Sequence, residues 1–387
     1  MPLDRRIVCV GAGFSGAVIA REFAEAGFEV LVIDERGHAA GNCHTERDEA
    51  TNIMVHRYGP HIFHTDNQEV WDLVNRYATF MPYVNRVKAV SGGNVYSLPI
   101  NLHTINQFFG MQMNPAEARE FIRSKSRQDI DEPQTFEDQA LKFVGDEIYK
   151  AFFYGYTRKQ WGIEPKELPA SILKRLPLRF TYDDNYFNHQ FQGIPAEGYT
   201  HLVEGILDHS NIELRLGAKF EELDEAPLHV FYSGPIDRYF AHKLGRLGYR
   251  TLDFEEIRSD DDEGIGNAVL NYADTDVPWT RISDHKFFAP WSLDETKGSL
   301  QFREYSRACE PGDTPYYPVR LATDKELLGQ YVKLAGETEG VTFVGRLGTY
   351  RYLDMDVTIG EALEAGRAAL SAIKGGDLPQ TFYESVL

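Results

Sequence analysis

The chain has three cysteines in 387 residues, Cys9, Cys43 and Cys309. Their odd number and scatter rule out a disulfide framework, and none has metal-ligand spacing, so a reducing compartment is expected. Long apolar runs are also missing. The first, Ile7 to Val10, has only a strand's length, and nothing approaches the ~20 residues that span a bilayer. A cytoplasmic protein without a membrane partner is expected. Positive charge is short as well: 40 Lys and Arg stand against 59 Asp and Glu, a net charge of −19. Such a chain repels nucleic acid and anionic membranes, which excludes both as partners. A small anionic ligand remains open to it only through a local cluster of arginines, so each arginine set among aromatics carries extra weight.

What the chain does have is length for two or three domains, at ~100–200 residues each, and 13% aromatic residues, enough for ring-stacking surfaces as well as a core. Its first forty residues read as strand, glycine turn, helix, strand and acid: Ile7–Val10, Gly11-Ala12-Gly13-Phe14-Ser15-Gly16, a helix with Val18, Ile19 and Phe23 on one face, Val30–Ile33, then Asp34. Gly11 permits the turn, Gly13 lets the backbone approach a pyrophosphate, and Gly16 lets the helix pack on the strand. The helix N-terminus offers N–H groups to the phosphates, and Asp34 with Glu35 can accept from a ribose. Dinucleotide binding follows.

Further along, the small-residue loop Gly37–Asn42 can pass close to a cofactor, and Tyr58–His64 carries His61 and His64. With no third ligand nearby these histidines predict cofactor contact and no metal. Gly92-Gly93 predicts a hairpin between Arg86 and Leu98. Asn114-Pro115 and Thr135 open helices, the second with Phe136, Ala140, Phe143, Val144 and Ile148 on one apolar face. The aromatic segment Phe152–Gly162 leads to Ala170–Leu176, bracketed by prolines and suited to move as a lid. Residues 250–310 alternate in strand fashion and predict an antiparallel sheet. The last helix, Val357–Ile373, follows Gly345–Asp356 and aims a second helix N-terminus at the cofactor, with Arg346 near it.

The expected architecture is α/β: a Rossmann-like dinucleotide-binding domain from 1–80, 196–247 and 318–387, a helical insertion domain with a mobile lid from 101–180, and an antiparallel β-sheet domain from 81–100, 181–195 and 248–317.

Gly11–Gly16, YGPHIFHTD (58–66), GYTRKQWG (155–162), ELPASILKRLP (167–177), Tyr186-Phe187-Asn188 and GRLGTYRYLDMD (345–356) together resemble the bacterial UDP-galactopyranose mutase family over nearly the whole chain. The resemblance implies an isomerase that holds FAD non-covalently and needs it reduced, with flavin N5 as the nucleophile at the sugar's anomeric carbon and the galactopyranose ring contracting to galactofuranose. It implies a nucleoside pocket of Phe152, Tyr156, Thr157, Trp161, Tyr186 and Asn271, lined by Asn85, and a catalytic diphosphate clamp of Arg175 and Arg281 helped by Tyr317 and Tyr352. Glu304 and Asp354 would be supporting polar residues. It assigns to FAD the turn residues Gly11, Gly13, Phe14, Ser15 and Gly16, then Asp34, Glu35, Gly41, Asn42, His61, Ile62, His64 and Arg346. Leu353, Asp354, Met355, Asp356, Val357 and Thr358 complete that set. A homodimer serving cell-wall or polysaccharide biosynthesis is implied too. One departure is Ala40, where the family has glycine; its methyl fits if φ is negative and the flavin does not press on it. The same chemistry on dTDP-fucopyranose or another UDP or dTDP hexose is an alternative. A flavin-dependent oxidoreductase is a second, although an amine pocket has no need of two arginines beside stacked rings. A non-catalytic flavin-dependent binder is a third.

Overall fold

The structure, a computed structural model, describes residues 6–173, 178–223 and 227–387. Its centre is a five-stranded parallel sheet in the order Ile212–Leu216, Val30–Asp34, Ile7–Val10, His229–Tyr232, Val341–Phe343. The inner strands are continuous apolar runs because helices cover both faces. Ile7, Val8, Cys9 and Val30–Ile33 are fully buried. Register pairs Val10 with Ile33 and with Tyr232, so the carboxyl ends of the central strands share one edge, where open α/β sheets bind ligands.

The first helix, Phe14–Glu25, leaves the central strand through Gly11 at φ +104°. It lies so close that a Cβ on Gly16 would meet the Gly11 carbonyl at 2.0 Å. The last helix, Met355–Gly375, packs along it, burying Ile359, Ala362, Leu363 and Gly366. Among the described residues no helix is long and apolar enough to cross a membrane.

A second sheet of seven strands faces this edge, in the order Tyr317–Pro318, Tyr249–Ser259, Ser299–Ala308, Arg281–Asp284, Val269–Tyr272, Val87–Ser91, Asn94–Leu98. Its pairings are antiparallel except one: Val269–Tyr272 runs parallel to Val87–Ser91. The 87–98 hairpin joins from a distant part of the chain, so no tight turn dictates its direction.

Helices Leu102–Phe109, Pro115–Lys125 and Phe136–Ile148 form the third layer, continued by a π turn, Tyr149–Tyr154, and the helix Gly155–Trp161. Asn114 and Thr135 close capping boxes with Glu117 and Asp138. Phe143, expected on the inner face, is 41% exposed. The buried row is Phe136, Ala140, Val144 and Ile148, spaced by four, and Phe143 sits one residue off it.

Candidate active site

The strand ends of the parallel sheet and the inner side of the seven-stranded sheet enclose a cleft of about 1060 Å³. That is at the top of the ~300–1,000 Å³ range of small-molecule pockets, so there is room for a cofactor and a second ligand. At one end Gly11, Gly13, Phe14 and Ser15 line it. Gly13, the N-cap of the first helix, gives that helix no side-chain cap. Opposite, Gly41 stands with its Cβ direction 3.6 Å from the Gly13 Cα.

Asp34 braces the turn: one carboxylate oxygen accepts from the Ala12 N–H and the other from the Arg36 N–H, both at 2.9 Å. Glu35, which also lines the cleft, is gripped bidentately by Arg238 at 2.8 and 2.7 Å. That hydrogen-bonded guanidinium lowers its carboxyl pKa. Asn42 accepts from Arg36, whose guanidinium lies over the Tyr58 ring at 4.7 Å. Arg36 and Arg238 went unnoticed in the sequence; the signal available was an arginine shortly after each strand that ends at the cleft.

The middle of the wall is the loop with His61, Ile62 and His64, together with Arg346 and the start of the last helix, Leu353, Asp354, Met355 and Thr358. Burial pushes His61 down to about 4, so it is neutral at pH 7, and its Nδ1 pairs with the Gly59 carbonyl at 2.8 Å. His64 shares a 3.0 Å Nδ1–Nδ1 hydrogen bond with His189 and stacks on Phe187. Arg346 donates to the Tyr316 carbonyl and lies under Tyr317 and Tyr352, 5.6 and 5.0 Å from the ring centroids. The last helix, like the first, has no side-chain cap, its N-cap being Asp354.

At the far end are Asn85, Tyr156, Tyr186, Asn271, Arg281, Glu304, Tyr317 and Tyr352. Asn271 and Arg281 oppose each other across one strand pair, and Arg281 opposes Glu304 across the next. Arg281 Nε lies 3.1 Å from Glu304 Oε1, and its Nη2 donates to the Tyr156 hydroxyl at 3.2 Å. Burial works against the guanidinium charge, and Glu304 with the surrounding tyrosines more than offsets it, raising its pKa well above normal. Tyr317 and Tyr352 stack at 5.9 Å, and Tyr352 is 62% exposed.

Some expected contacts do not reach this wall. Gly16 serves helix packing, as the Cβ distance above requires. On the helix Gly155–Trp161 only Tyr156 faces the cleft, because the 100° step per residue turns Thr157 inward, 5% exposed, and carries Trp161 toward the helical core. Phe152 packs behind, against Tyr96 and Phe108 at 5.1 and 5.4 Å. On the last helix Met355 and Thr358 face the cleft while Asp356 and Val357 turn away. Arg175 and the end of the expected lid lie outside the described residues. Ala40 contradicts its condition, sitting at φ +70° in the left-handed region; its N–H donates to the Ala12 carbonyl at 2.8 Å, and that bond fixes the loop. Among the described residues no group of His, Cys, Asp or Glu is placed to hold a metal ion.

A glycine turn at the edge of a parallel sheet, opening on a cleft that a second sheet closes, is the arrangement of a Rossmann-like dinucleotide-binding protein. Residues 9–77 match the family model of the NAD(P)-binding Rossmann-like domain, and residues 151–352 match that of UDP-galactopyranose mutase. The chain is 58% identical over 371 residues to a probable UDP-galactopyranose mutase of Klebsiella pneumoniae, covering 96% of each. It is 55% identical over 369 residues to the dTDP-fucopyranose mutase of Escherichia coli, covering 94% of this chain and 97% of that one. The crystal structure of a reduced UDP-galactopyranose mutase superimposes with a TM-score of 0.73 over 95% of this chain and 96% of that one, at 15% identity, which speaks for the fold. The chain belongs to the UDP-galactopyranose mutase family and is an isomerase of that family.

Proposed function

We propose that this protein interconverts UDP-galactopyranose and UDP-galactofuranose, using FAD held without a covalent bond and active only when reduced. The observation that carries the reading is Arg281, fixed between Glu304 and Tyr156 in the same cleft as the glycine turn. A leaving diphosphate gains charge as its bond to the sugar breaks, and a preorganised guanidinium stabilises that charge most where water is excluded.

The residues present suit FAD. Two helix N-termini without side-chain caps face one cleft, and the cleft wall carries buried polar atoms without partners among the described residues: Arg36 Nη1, Arg346 Nε, Asn85 Oδ1 and Asn271 Oδ1. Gly11, Gly13 and the first helix would hold the pyrophosphate, Glu35 with Arg238 the adenosine end, and His61, Ile62, His64, Arg346 and Leu353–Thr358 the rest. When bound and reduced, FAD supplies the nucleophile, so no side chain has to act as one. The chain's own part is to bind, orient and stabilise. Asn85, Tyr156, Tyr186 and Asn271 take the nucleoside, backed by Phe152, Thr157 and Trp161. Arg281 and Arg175 hold the diphosphate while Tyr317 and Tyr352 flank it. Glu304 keeps Arg281 aimed.

The test is to offer chemically reduced protein a panel of UDP and dTDP hexoses and to determine the ring size of each product. UDP-galactofuranose formed by reduced protein, with oxidised protein idle, is the expected result; equal rates in both redox states would sink it. The 55% identity to a dTDP-fucopyranose mutase favours that substrate as the second reading, and the same panel separates the two. The proposal includes a cytoplasmic homodimer, which light scattering of the purified protein checks.

A further inference from the structure

The helix Gly155–Trp161 carries Tyr156 into the cleft, and the strand pair Val269–Tyr272 and Arg281–Asp284 carries Asn271 and Arg281. Nucleoside and diphosphate contacts therefore sit on two elements far apart in sequence, and a nucleotide bridging them is sensitive to their spacing. One side chain outside the cleft wall ties the two elements together. Lys159 leaves the helix and donates from Nζ to three carbonyls, that of Tyr272 at the end of the first strand at 2.7 Å and those of Asp274 and Trp279 in the connecting loop, both at 2.9 Å. A lysine ammonium has three N–H donors, and all three are used.

Other contacts fit the same docking. At Gly155 the helix approaches the loop so closely that a Cβ would meet the Ala273 carbonyl at 2.0 Å. At its other end the Gln160 carbonyl accepts from Arg250 Nε at 3.0 Å and from the Ser306 hydroxyl at 2.7 Å. Below the loop, Thr280 donates from its N–H to the Glu304 carbonyl at 2.8 Å and from its hydroxyl to Glu304 Oε1 at 3.0 Å. The lysine is thus connected through the loop to the carboxylate that holds Arg281.

We propose that Lys159 is a positioning residue for the nucleotide: by gathering the Tyr272, Asp274 and Trp279 carbonyls against the helix, it fixes the distance between Tyr156 and the pair Asn271 and Arg281. The inference rests on the proposed nucleotide-sugar reading and assigns the spacing of that site to a residue that does not touch the ligand.

Burial pulls the Lys159 ammonium down to about 8, with Asp274 and Asp276 opposing the shift. Besides those two carboxylates, the titratable and charged groups on the elements packed against it are Tyr272 at the end of its strand, Arg158 on its own helix with Glu164 just beyond the helix end, Arg250 on the strand Tyr249–Ser259, and Arg303, stacked on Trp279, with Tyr305 on the strand Ser299–Ala308. Tyr272 and Tyr305 are raised by burial above the usual phenol range. Loss of the Lys159 proton leaves an amine with two donors for three carbonyls.

The experiment measures UDP binding and turnover by FAD-loaded wild type, K159M and K159R. K159M should bind UDP about tenfold more weakly and raise KM by a similar factor, with kcat lowered by less than about threefold and flavin content unchanged. K159R should restore affinity near pH 7. Wild-type affinity should fall between about pH 7 and 9, and the K159R profile should be flat over that interval relative to wild type, because a guanidinium keeps its charge. If K159M does not fold, the wild-type and K159R profiles decide alone. Wild-type UDP affinity in K159M, or identical pH profiles for wild type and K159R, overturns the positioning role and leaves the proposed function standing. A flavin-loaded wild type that binds no UDP overturns both.

Discussion

The proposed diphosphate role of Arg281 requires that its charge survive burial, and Glu304 favours that charge from 3.1 Å while accepting from Thr280, the residue before Arg281. Removing the guanidinium should lower kcat/KM by ~10²–10³, the loss seen when one preorganised donor to a developing charge is deleted. The variant Arg281→Ala should keep its flavin, since Arg281 stands at the opposite end of the cleft from the glycine turn; a turnover assay with a flavin absorbance spectrum checks both halves. Arg175→Ala is expected to do nearly the same, and near-normal rates in either would mean that the clamp is misplaced. Ala40 poses a different balance. A left-handed φ costs an L-residue ~1–2 kcal/mol. Against this, the methyl is buried, 2% exposed, which returns about 0.8 kcal/mol, and alanine restrains the unfolded chain by ~0.4–1 kcal/mol relative to glycine. These nearly cancel, so Ala40→Gly should melt within about 2 °C of wild type. Ala40→Val, β-branched at a positive φ, should melt well below it and lose flavin. The glycine turn and Asp34 were legible because their chemistry is tied to one short motif, whereas Arg281 lies outside every motif that carries the family resemblance and was named only through that resemblance. Lys159 was not, because its carbonyl partners lie more than a hundred residues away and a carbonyl leaves no mark in a sequence.

The loop that carries His61 into the cleft wall is held by a chain of histidines from three segments. The His56 N–H, on the strand Met54–His56, donates to His285 Nδ1 at 3.2 Å, and the His61 N–H donates to His56 Nδ1 at 3.3 Å. Each accepting nitrogen must be unprotonated. Burial secures this, holding His56 well below the ordinary histidine range and His285 at about 3. Unfolded histidines take up protons below pH ~6.5, whereas the folded ones resist to about 4 or lower. Between those values the unfolded state binds more protons, so this stability is complete above pH ~6.5 and is lost as the pH falls. The melting temperature should decline from about pH 6.5 to 4, and His285→Asn, whose Oδ1 can accept the same bond without titrating, should show a shallower decline. A parallel decline in both would remove His285 from the account. Element boundaries were legible where capping chemistry is local, as at Asn114 and Thr135. The parallel seam between Val269–Tyr272 and Val87–Ser91 was not, since nothing in either strand encodes the direction of a partner about 180 residues away.

At the scale of the whole molecule the ligand and the protein repel each other. The net charge of −19 opposes the approach of a doubly charged nucleotide sugar, while Arg36, Arg238, Arg281 and Arg346 bring guanidinium groups to a cleft wall that carboxylates also line. The two fields differ in reach. The surface charge acts through solvent over a Debye length of ~30 Å at 0.01 M salt and ~8 Å at 0.15 M. The cleft arginines act at contact distance, partly shielded from water and counted against nearby carboxylates such as Glu35 and Glu304. Added salt should therefore weaken the long-range repulsion before it weakens the contacts. The association rate of UDP, measured by stopped-flow on the flavin-loaded protein, should rise between about 0.01 and 0.15 M salt, the reverse of the steep fall seen when opposite charges steer a ligand in. The dissociation rate should change less, because it reports the contacts already made. An association rate that falls across that interval would show that the field of the cleft reaches past its mouth and that the acidic surface does not govern entry.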